Sequence, residues 1–360
     1  MIVWLATSAL AASTSPVAAH PLGDDIDTAP ALSADADLAG RIGLRTPAVG
    51  LTRVVELSRA RVEVGVGSGH AQARLALTPT RSGGATGYVG VAGESLVPIV
   101  QIAEARVDVP VAGLAVAAGV VDDLWAVTGQ SAWGLPAVSD TAGLAFGMVN
   151  RSDLGAWASW SAPDRWFSVT AQLASGEGHQ RRERNNGKDI SILATVRPLR
   201  DGDTDVLGVS LLARDGSRGL LSAADHRMGA RIWTDHRLMG AGLEYLRGLG
   251  SGGDPSLRPH TLSMWTRTGH DLPAVGWIRL DQSSASRDVP MSGTLVVHAG
   301  AGPRVPLAAD GSGAVLIGWQ RGRVGDQASG IAGAGDAAAW DLLFLQVGVR
   351  ERGSVGLTAL

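Results

Sequence analysis

The sequence predicts an all-β protein, built as one closed antiparallel transmembrane β-barrel of about sixteen strands. Three observations support this fold class. Apolar residues alternate with polar ones along most of the chain, the charged residues of several strands share one face, and no run of apolar residues is long enough for a transmembrane helix. A closed barrel is the form in which such strands can cross a membrane, because an open sheet would leave backbone groups unpaired in lipid.

The clearest pair of strands lies between residues 154 and 198. Every second residue from Phe167 to Leu173 is apolar, and Ser168, Thr170 and Gln172 lie between them. After a polar gap the alternation resumes from Ile190 to Val196. This period of two predicts two strands joined by one hydrophilic loop.

Charged residues occupy a single face of the other strands. Near residues 59–66 and 101–111, charged residues alternate with aliphatic or small residues. A charge buried without a partner costs several kcal/mol, so the charged face must be wet. Many residues on the opposite face are Ala or Gly, which pack poorly as a sandwich core and are tolerated against lipid. The alternative is a secreted soluble all-β protein, a sandwich or propeller, in which the apolar faces pack against one another.

The strand count follows from the length. Between 14 and 17 stretches of the 360-residue chain have the alternating pattern. The residues after position 19, at roughly 20 per strand and connection, would give about 17 strands. Bacterial barrels have an even number of strands, so we expect sixteen, with 14 and 18 as the neighbouring counts.

Three segments divide the chain. Residues 1–19 resemble a secretory signal peptide, with an apolar segment followed by Val17-Ala18-Ala19, although no Lys or Arg precedes the apolar part. The alternative is a frayed apolar N-terminus or a wrongly assigned start codon. We expect residues 20–50 to form a loosely ordered N-terminal lead-in and residues 51–360 to form the barrel.

One segment interrupts the strand pattern. Residues 119–140 have no period and include Trp125, Trp133 and Pro136. We expect a longer loop here, or a segment that lies at or inside the mouth of the barrel.

Composition and motifs argue against several other functions. The net charge of −3, with arginines spread along the chain, argues against nucleic-acid binding. The absence of cysteine excludes disulfides and thiolate metal sites. Asp-His pairs at 225–226 and 235–236 suggest a metal site across a hairpin, but a polar strand face explains them as well, and we predict no metal and no cofactor. No Gly-x-Ser-x-Gly motif is present, and we predict no enzymatic activity.

The stretch from Asp153-Leu154-Gly155 through GEGHQRRERNNGKD to Pro198 carries a family resemblance. It is similar to a recurring stretch of bacterial outer-membrane porins of the phosphate-selective porin O and P type. This resemblance implies a location in the outer membrane of a Gram-negative-type envelope, contact with outer-membrane lipid, and assembly as a homotrimer. No selectivity residue can be matched position by position, so a phosphate preference is not carried over.

The resemblance also suggests a role for the tryptophans. Family members carry Tyr and Phe at the membrane interfaces, whereas this chain has 2 Tyr, 3 Phe and 11 Trp. We expect a girdle of interface aromatics made of Trp157, Trp160, Trp166, Trp233, Trp265, Trp277 and Trp319.

Two groups of charged residues are candidates for a pore. Alternation places the first group on the wet face, where it would line the channel: Arg59, Arg61, Glu63, Arg74, Glu104, Arg106, Asp108, Arg197 and Arg214. The second is a basic loop cluster of Arg181, Arg182, Arg184 and Lys188. Either group has a simpler interpretation: a polar lumen without selectivity for the first, and a solvated loop balanced by Glu177, Glu183 and Asp189 for the second.

The expected function is a porin-like channel for passive diffusion of small hydrophilic solutes or ions through a water-filled, charge-lined lumen. The alternatives are the soluble all-β protein and a barrel that is plugged and purely structural.

Overall fold

The structure is a computed structural model. It describes residues 31–46, 52–83, 94–109, 113–178, 187–201, 204–218, 223–251, 254–284, 293–306, 312–324 and 339–356. The predicted signal peptide and the basic cluster residues Arg181, Arg182 and Arg184 lie outside these ranges.

Within the described residues, sixteen antiparallel strands close into one barrel, as the sequence predicts. The first strand pairs with both the second and the last, so the sheet has no free edge. The barrel strands are β1 (Ala31–Thr46), β2 (Thr52–Ser68), β3 (Ala71–Gly83), β4 (Glu94–Asp108), β5 (Leu114–Asp122), β6 (Ser152–Ser161), β7 (Phe167–Ala174), β8 (Asp189–Asp201), β9 (Thr204–Asp215), β12 (His226–Asp235), β13 (Met239–Leu249), β14 (His260–Thr268), β15 (Ala274–Ser284), β16 (Gly293–Pro306), β17 (Ser312–Val324) and β18 (Ala339–Gly356).

The remaining elements are short. A two-stranded sheet of β10 (Ser217–Arg218) and β11 (Ala223–Ala224) lies between β9 and β12. Helices α1 (Leu124–Trp133) and α2 (Ala142–Ala145) follow β5, and a 3₁₀ turn spans Pro163–Arg165. No helix in the described part of the chain is long and apolar enough to cross a membrane.

The first strand corrects the expected domain division. Residues 31–46, assigned from the sequence to a loosely ordered lead-in, form β1 and complete the barrel. Their pattern is the same alternation in a weaker form, since Asp37 faces inward and Leu38 and Ile42 face outward. Frequent Ala and Gly in this stretch hide the period of two until the partners β2 and β18 are known.

The two ends of the barrel differ in the lengths of their connections. At one end, neighbouring strands are joined by two to five residues, at 69–70, 109–113, 162–166, 202–203, 236–238, 269–273 and 307–311. At the other end the connections have five to 29 residues. We call these the short-turn end and the long-loop end. Both β1 and β18 have their free termini at the short-turn end.

The outer surface is aliphatic, and the charged side chains of the strands lie on the inner surface together with buried aromatic and aliphatic residues. Residues of period two such as Leu211, Ile278 and Ile317 are between 57% and 63% exposed on the outside. Their neighbours along the same strands face inward and are mostly buried. The barrel thus reverses the usual arrangement of a soluble protein, in which large apolar side chains are inside.

Inward-facing aromatic rings lie across glycines of the neighbouring strand. Trp233 pairs with Gly208 and Trp265 with Gly242, and a Cβ atom on either glycine would come within 2.3 Å of the ring. Trp277 over Gly300, Phe344 over Gly318 and Trp340 over Gly322 repeat the arrangement. Glycine is required at these positions because a side chain would displace the ring.

These rings also correct the expected aromatic girdle. Trp157, Trp233, Trp265 and Trp277 face the interior of the barrel. Trp160, Trp166 and Trp319 face outward, with exposures of 39%, 55% and 37%. The prediction treated tryptophan as an interface residue, but inside this barrel the indole rings fill the space above neighbouring glycines.

Candidate functional site

The segment between β5 and β6 folds into the lumen. This inserted segment, residues 123–151, carries α1 and α2. Asp123 begins α1 by accepting hydrogen bonds from the backbone N–H groups of Trp125 and Ala126, and Gly134, in a left-handed conformation with φ of 71°, ends it. The apolar residues of α1 are not confined to one face of the helix, which is typical of a helix buried on several sides. The interior placement agrees with the expectation from the sequence.

Among the described residues, the buried apolar side chains of the inserted segment pack against one side of the barrel. We call that side, the inner face of β8, β9 and β12–β18, the covered wall. Two clusters of buried apolar residues join the inserted segment to the covered wall. In the first, Trp133 lies edge-on to Trp265 with ring centroids 5.6 Å apart. In the second, the fully buried Trp125 lies against Leu193, Leu212 and Leu246.

Side chains of the barrel also bond the backbone of the inserted segment. Arg267 donates to the carbonyl oxygen of Trp133 at 2.9 Å, which satisfies an otherwise unpaired carbonyl at the end of α1. Arg231 donates to that of Trp125 at 3.0 Å. Similar bonds run from Arg227 to Met148, from Arg41 to Val138 and from Gln346 to Ala137.

Charges on the covered wall form buried pairs. Arg231 lies 2.7 Å from Glu244 and stacks over the Trp125 ring at 3.9 Å from its centroid. Arg227 pairs with Asp225, and Arg279 with Asp281. The arginine side chains of these three pairs are 1% exposed. These groups hold the inserted segment and are shielded from the lumen.

Among the residues that the structure describes, none covers the opposite side of the lumen in this way. We call it the open wall, the inner face of β2–β6. Arg61 pairs with Glu63 along β2, and the two side chains are 16% and 15% exposed. Arg59 pairs with Asp37 of β1. These ion pairs keep contact with water, unlike those on the covered wall.

Arg74 is the centre of the network on the open wall. Its guanidinium lies 2.9 Å from both Glu104 and Asp122 and 3.5 Å from Glu63. Next to it, Arg106 pairs with Asp108 at 2.7 Å. The arginines and carboxylates alternate across neighbouring strands, so neither sign of charge forms a separate patch.

The two sides meet at the edge of the inserted segment. Arg151 lies 2.6 Å from Asp140, and both side chains are partly exposed, at 27% and 36%. Arg151 is an electrostatic neighbour of Arg59 on the open wall. Charged groups of the inserted segment and of β2 therefore approach each other across the lumen.

Most of the predicted pore-lining residues lie on the open wall. Seven of the nine face the lumen there: Arg59, Arg61, Glu63, Arg74, Glu104, Arg106 and Asp108. Arg214 differs because it is buried against Asp123 and Ser191 at the start of the inserted segment. Arg197 lies near the short-turn end, where it donates to Ser168. Of the basic loop cluster only Lys188, just before β8, is described.

The structure explains the stretch that carries the family resemblance. The carboxylate of Asp153 accepts hydrogen bonds from the backbone N–H groups of Gly176 and Gly178 and from the Ser175 hydroxyl. Both glycines have positive φ, 89° and 83°. The Asp-Leu-Gly and Gly-Glu-Gly sequences are thus two halves of one structural contact, which ties the β7–β8 connection to the end of the inserted segment.

The histidines of the Asp-His pairs lie far apart. His226 begins β12 and His236 follows its end, so ten residues of extended chain separate them by roughly 30 Å. His226 instead lies 2.7 Å from Asp215. Among the described residues no group of three or more His, Asp or Glu side chains is arranged to hold a metal ion.

Sequence reasoning missed the residues that hold the inserted segment. Arg227, Arg231, Arg267 and Arg279 follow the same alternation as the residues on the open wall, and only the path of residues 123–151 distinguishes them. Asp123 and Asp153 carried a usable signal, because each lies at the junction between a strand and the aperiodic segment.

No protein-family model matches the sequence, and no curated protein matches it. Among solved structures, the chain is similar to OmpF of Salmonella typhi in a complex with daunomycin, with a TM-score of 0.62 and 11% identity over 89% of this chain and 97% of that one. An anion-selective porin from Comamonas acidovorans matches with a TM-score of 0.58 and 11% identity, over 90% and 99% of the two chains. The fold is that of bacterial porins. The trimer form of OmpT, an outer-membrane protein of Vibrio cholerae, matches with a TM-score of 0.55 and 12% identity, over 90% of this chain and 99% of that one. The porin kind expected from the sequence is confirmed at the level of the fold, whereas the O and P type stays a prediction.

Proposed function

We propose that the protein is a porin-like channel of an outer membrane, through which small hydrophilic solutes or ions diffuse passively. One observation carries the proposal. The inserted segment covers one wall of a closed barrel and leaves the other lined by charged side chains in contact with water. A charged, wet path inside an apolar exterior is the arrangement of a diffusion channel.

The outer surface supports a membrane location. Its aliphatic side chains form a continuous belt around the strands, from Leu38 on β1 to Val347 on β18. In water such a surface would drive aggregation, but in a bilayer it faces lipid tails. This observation disfavours the soluble sandwich or propeller.

The two ends support an orientation. Outer-membrane barrels have short turns on the periplasmic side and longer loops outside. We therefore assign the short-turn end, with both termini of the barrel, to the periplasm. A signal peptide at residues 1–19 would deliver the chain to that side and stays a prediction.

The charge pattern supports weak selectivity between ions. Each arginine described above on the open wall has a carboxylate beside it, so the lumen carries little net charge on that side. We propose that both cations and anions pass, and that the gap between the open wall and the inserted segment limits solute size. Homotrimer formation stays an expectation that chemical crosslinking would test.

Conductance through single-cysteine variants tests the proposal. The native chain has no cysteine, so each introduced thiol is unique. In a planar bilayer the wild-type barrel should show discrete current steps. A bulky thiol reagent should lower the conductance of Arg61→Cys on the open wall, because the adduct would narrow the path.

Val62→Cys is the matched control, since Val62 is the next residue along β2 and its side chain is 49% exposed on the outer surface. The same reagent should leave its conductance unchanged. A barrel without current steps would favour the plugged alternative, and a protein recovered in buffer without detergent would favour the soluble one. If labelling of Arg61→Cys leaves the current steps unchanged, the path for ions does not run along the open wall.

A further inference from the structure

Outward-facing arginines gather at one end of the barrel. Among the barrel side chains that the structure describes, these arginines are Arg53, Arg247, Arg321 and Arg323. Each lies within three residues of the long-loop end of its strand. The outer surface between them and the short-turn end is the aliphatic belt.

One of these arginines lines a cavity on the outer surface. The cavity has a volume of about 180 Å³ and lies where β13 and β14 meet their connection, lined by Tyr245, Arg247, Arg258 and His260. The Tyr245 and His260 rings are neighbours, with centroids 6.5 Å apart. The backbone N–H groups of Gly248 and Gly250 donate hydrogen bonds to the carbonyl oxygens of Pro259 and Leu257, which extends the pairing of β13 and β14 into their connection. The cavity is therefore built from ordered backbone.

The two guanidinium groups of this cavity lack carboxylate partners. In the described part of the chain, neither Arg247 nor Arg258 lies within ion-pair distance of an acidic side chain. The described hydrogen bonds of Arg258 use only Nη1, which donates to the carbonyl oxygens of Pro255 and Leu257. A guanidinium has five N–H donors, so most of those on Arg258 can serve a ligand. The arginines of the open wall described above, by contrast, each lie beside a carboxylate.

The position of the cavity identifies its ligand. Along β13 and β14 the belt begins at once, with Leu243 and Met264 exposed just below Tyr245. A molecule bound here would contact two cations and an aromatic edge above an apolar surface. Arginine binds phosphate through paired charge-assisted hydrogen bonds, and tyrosine suits the boundary between apolar and polar surroundings.

We propose that this cavity binds the phosphate-bearing headgroup of a lipid in the outer leaflet, whose acyl chains lie along the belt. The proposal rests on the membrane location proposed above, and it adds a lipid site outside the channel. The shared chemistry is a phosphate group, and the lipid is preferred to free phosphate because the cavity opens at the edge of the belt.

Native mass spectrometry of the refolded barrel in detergent would test the site. The probes are phosphatidic acid, diacylglycerol with the same acyl chains, and inorganic phosphate. The wild type should retain phosphatidic acid in preference to the other two. The double variant Arg247→Gln/Arg258→Gln should bind phosphatidic acid about tenfold more weakly, because both charge-assisted contacts are lost.

Arg321→Gln/Arg323→Gln is the matched control, since it removes two positive charges from the long-loop end of another strand, β17. It should retain phosphatidic acid like the wild type. Equal loss in both double variants would show attraction to charge alone and would overturn the site. Equal retention of diacylglycerol would show that acyl chains bind without the headgroup, and binding of inorganic phosphate alone would show an anion site. Each of these outcomes contradicts the proposal.

Bilayer conductance of the same variants separates this proposal from the proposed function. The cavity lies outside the lumen, so the current steps should be unchanged in Arg247→Gln/Arg258→Gln. Normal conductance without lipid discrimination would refute the lipid site alone, whereas loss of conductance in the wild type would refute the channel.

Discussion

The open wall and the covered wall both carry arginine–carboxylate pairs, but the pairs differ in their exposure to water. On the open wall, the Arg61–Glu63 pair is about one-sixth exposed. On the covered wall, the Arg231–Glu244 pair is almost completely buried beneath α1. The inserted segment makes this difference, because it packs on the aromatic and aliphatic side chains of the covered wall and buries the pairs beneath it.

This difference separates two roles for inward-facing arginine. On the covered wall, arginine supplies hydrogen bonds to backbone carbonyls and holds the segment in place. On the open wall, Arg61 and Arg74 pair with carboxylates while their own side chains stay 16% and 24% exposed. The first role is stabilising and the second sets the electrostatic field along the path.

The largest expected effect is on the stability of the covered wall. Arg231→Ala would leave Glu244 buried without its partner and would remove two bonds to the inserted segment. Because a buried charge would then be unpaired, we expect a loss of about 3 to 5 kcal/mol in the free energy of unfolding. Urea unfolding in detergent, followed by tryptophan fluorescence, measures it.

Arg61→Ala is the corresponding change on the open wall. Glu63 keeps Arg74 at 3.5 Å and remains accessible to water, so the loss should stay below about 1 kcal/mol. Losses of equal size in the two variants would show that the walls do not differ in the way proposed here.

A smaller effect is expected where rings cover glycines. Gly242→Ala would place a Cβ atom 2.3 Å from Trp265 on the covered wall, and displacing that ring should cost about 1 to 3 kcal/mol. Gly348→Ala serves as the control, because the nearest atom to its Cβ would lie 3.7 Å away. The measurement is the temperature at which half of each variant loses the fast gel migration of the folded barrel. If both variants keep the wild-type temperature, the contact between Gly242 and the Trp265 ring does not contribute to stability.

The smallest expected effect is on ion preference. Glu63→Gln should shift permeability towards anions, and Arg61→Gln should shift it towards cations, since each change unbalances the open wall. A charge a few ångströms from an ion in water is worth about 1 kcal/mol, so the permeability ratio should change by less than about fivefold. Reversal potentials under a salt gradient measure the ratio.

Glu244→Gln tests whether a charge on the covered wall affects ion preference. Glu244 is buried under the inserted segment, so a folded Glu244→Gln barrel should have the wild-type reversal potential. A shift as large as that of Glu63→Gln would mean that ions reach the covered wall.

Much of the fold could be predicted from alternation alone. The strand count, the inward orientation of the Arg61 and Glu104 side chains, and the interior position of residues 123–140 agree with the structure, whereas residues 119–122 of the same stretch belong to β5. β1 was missed because Ala and Gly weaken its pattern. Trp157 and Trp265 were placed on the wrong face because residue type outweighed their position in the period of two, which would have placed them inside.

The candidate site could be predicted less completely. Arg74 and Arg214 look alike in the sequence, but one lies on the open wall and the other is buried against Asp123. The bond network of Asp153 also joins residues more than twenty positions apart, which spacing cannot show.

The sequence by itself determined which face is wet in the strands with a clear alternation, because a period of two fixes the side on which a side chain lies once the sheet closes. Tertiary structure decided which part of the wet face stays in contact with water. That depends on where residues 123–151 pack, and their packing is set by rings, glycines and arginines on strands far away in the chain.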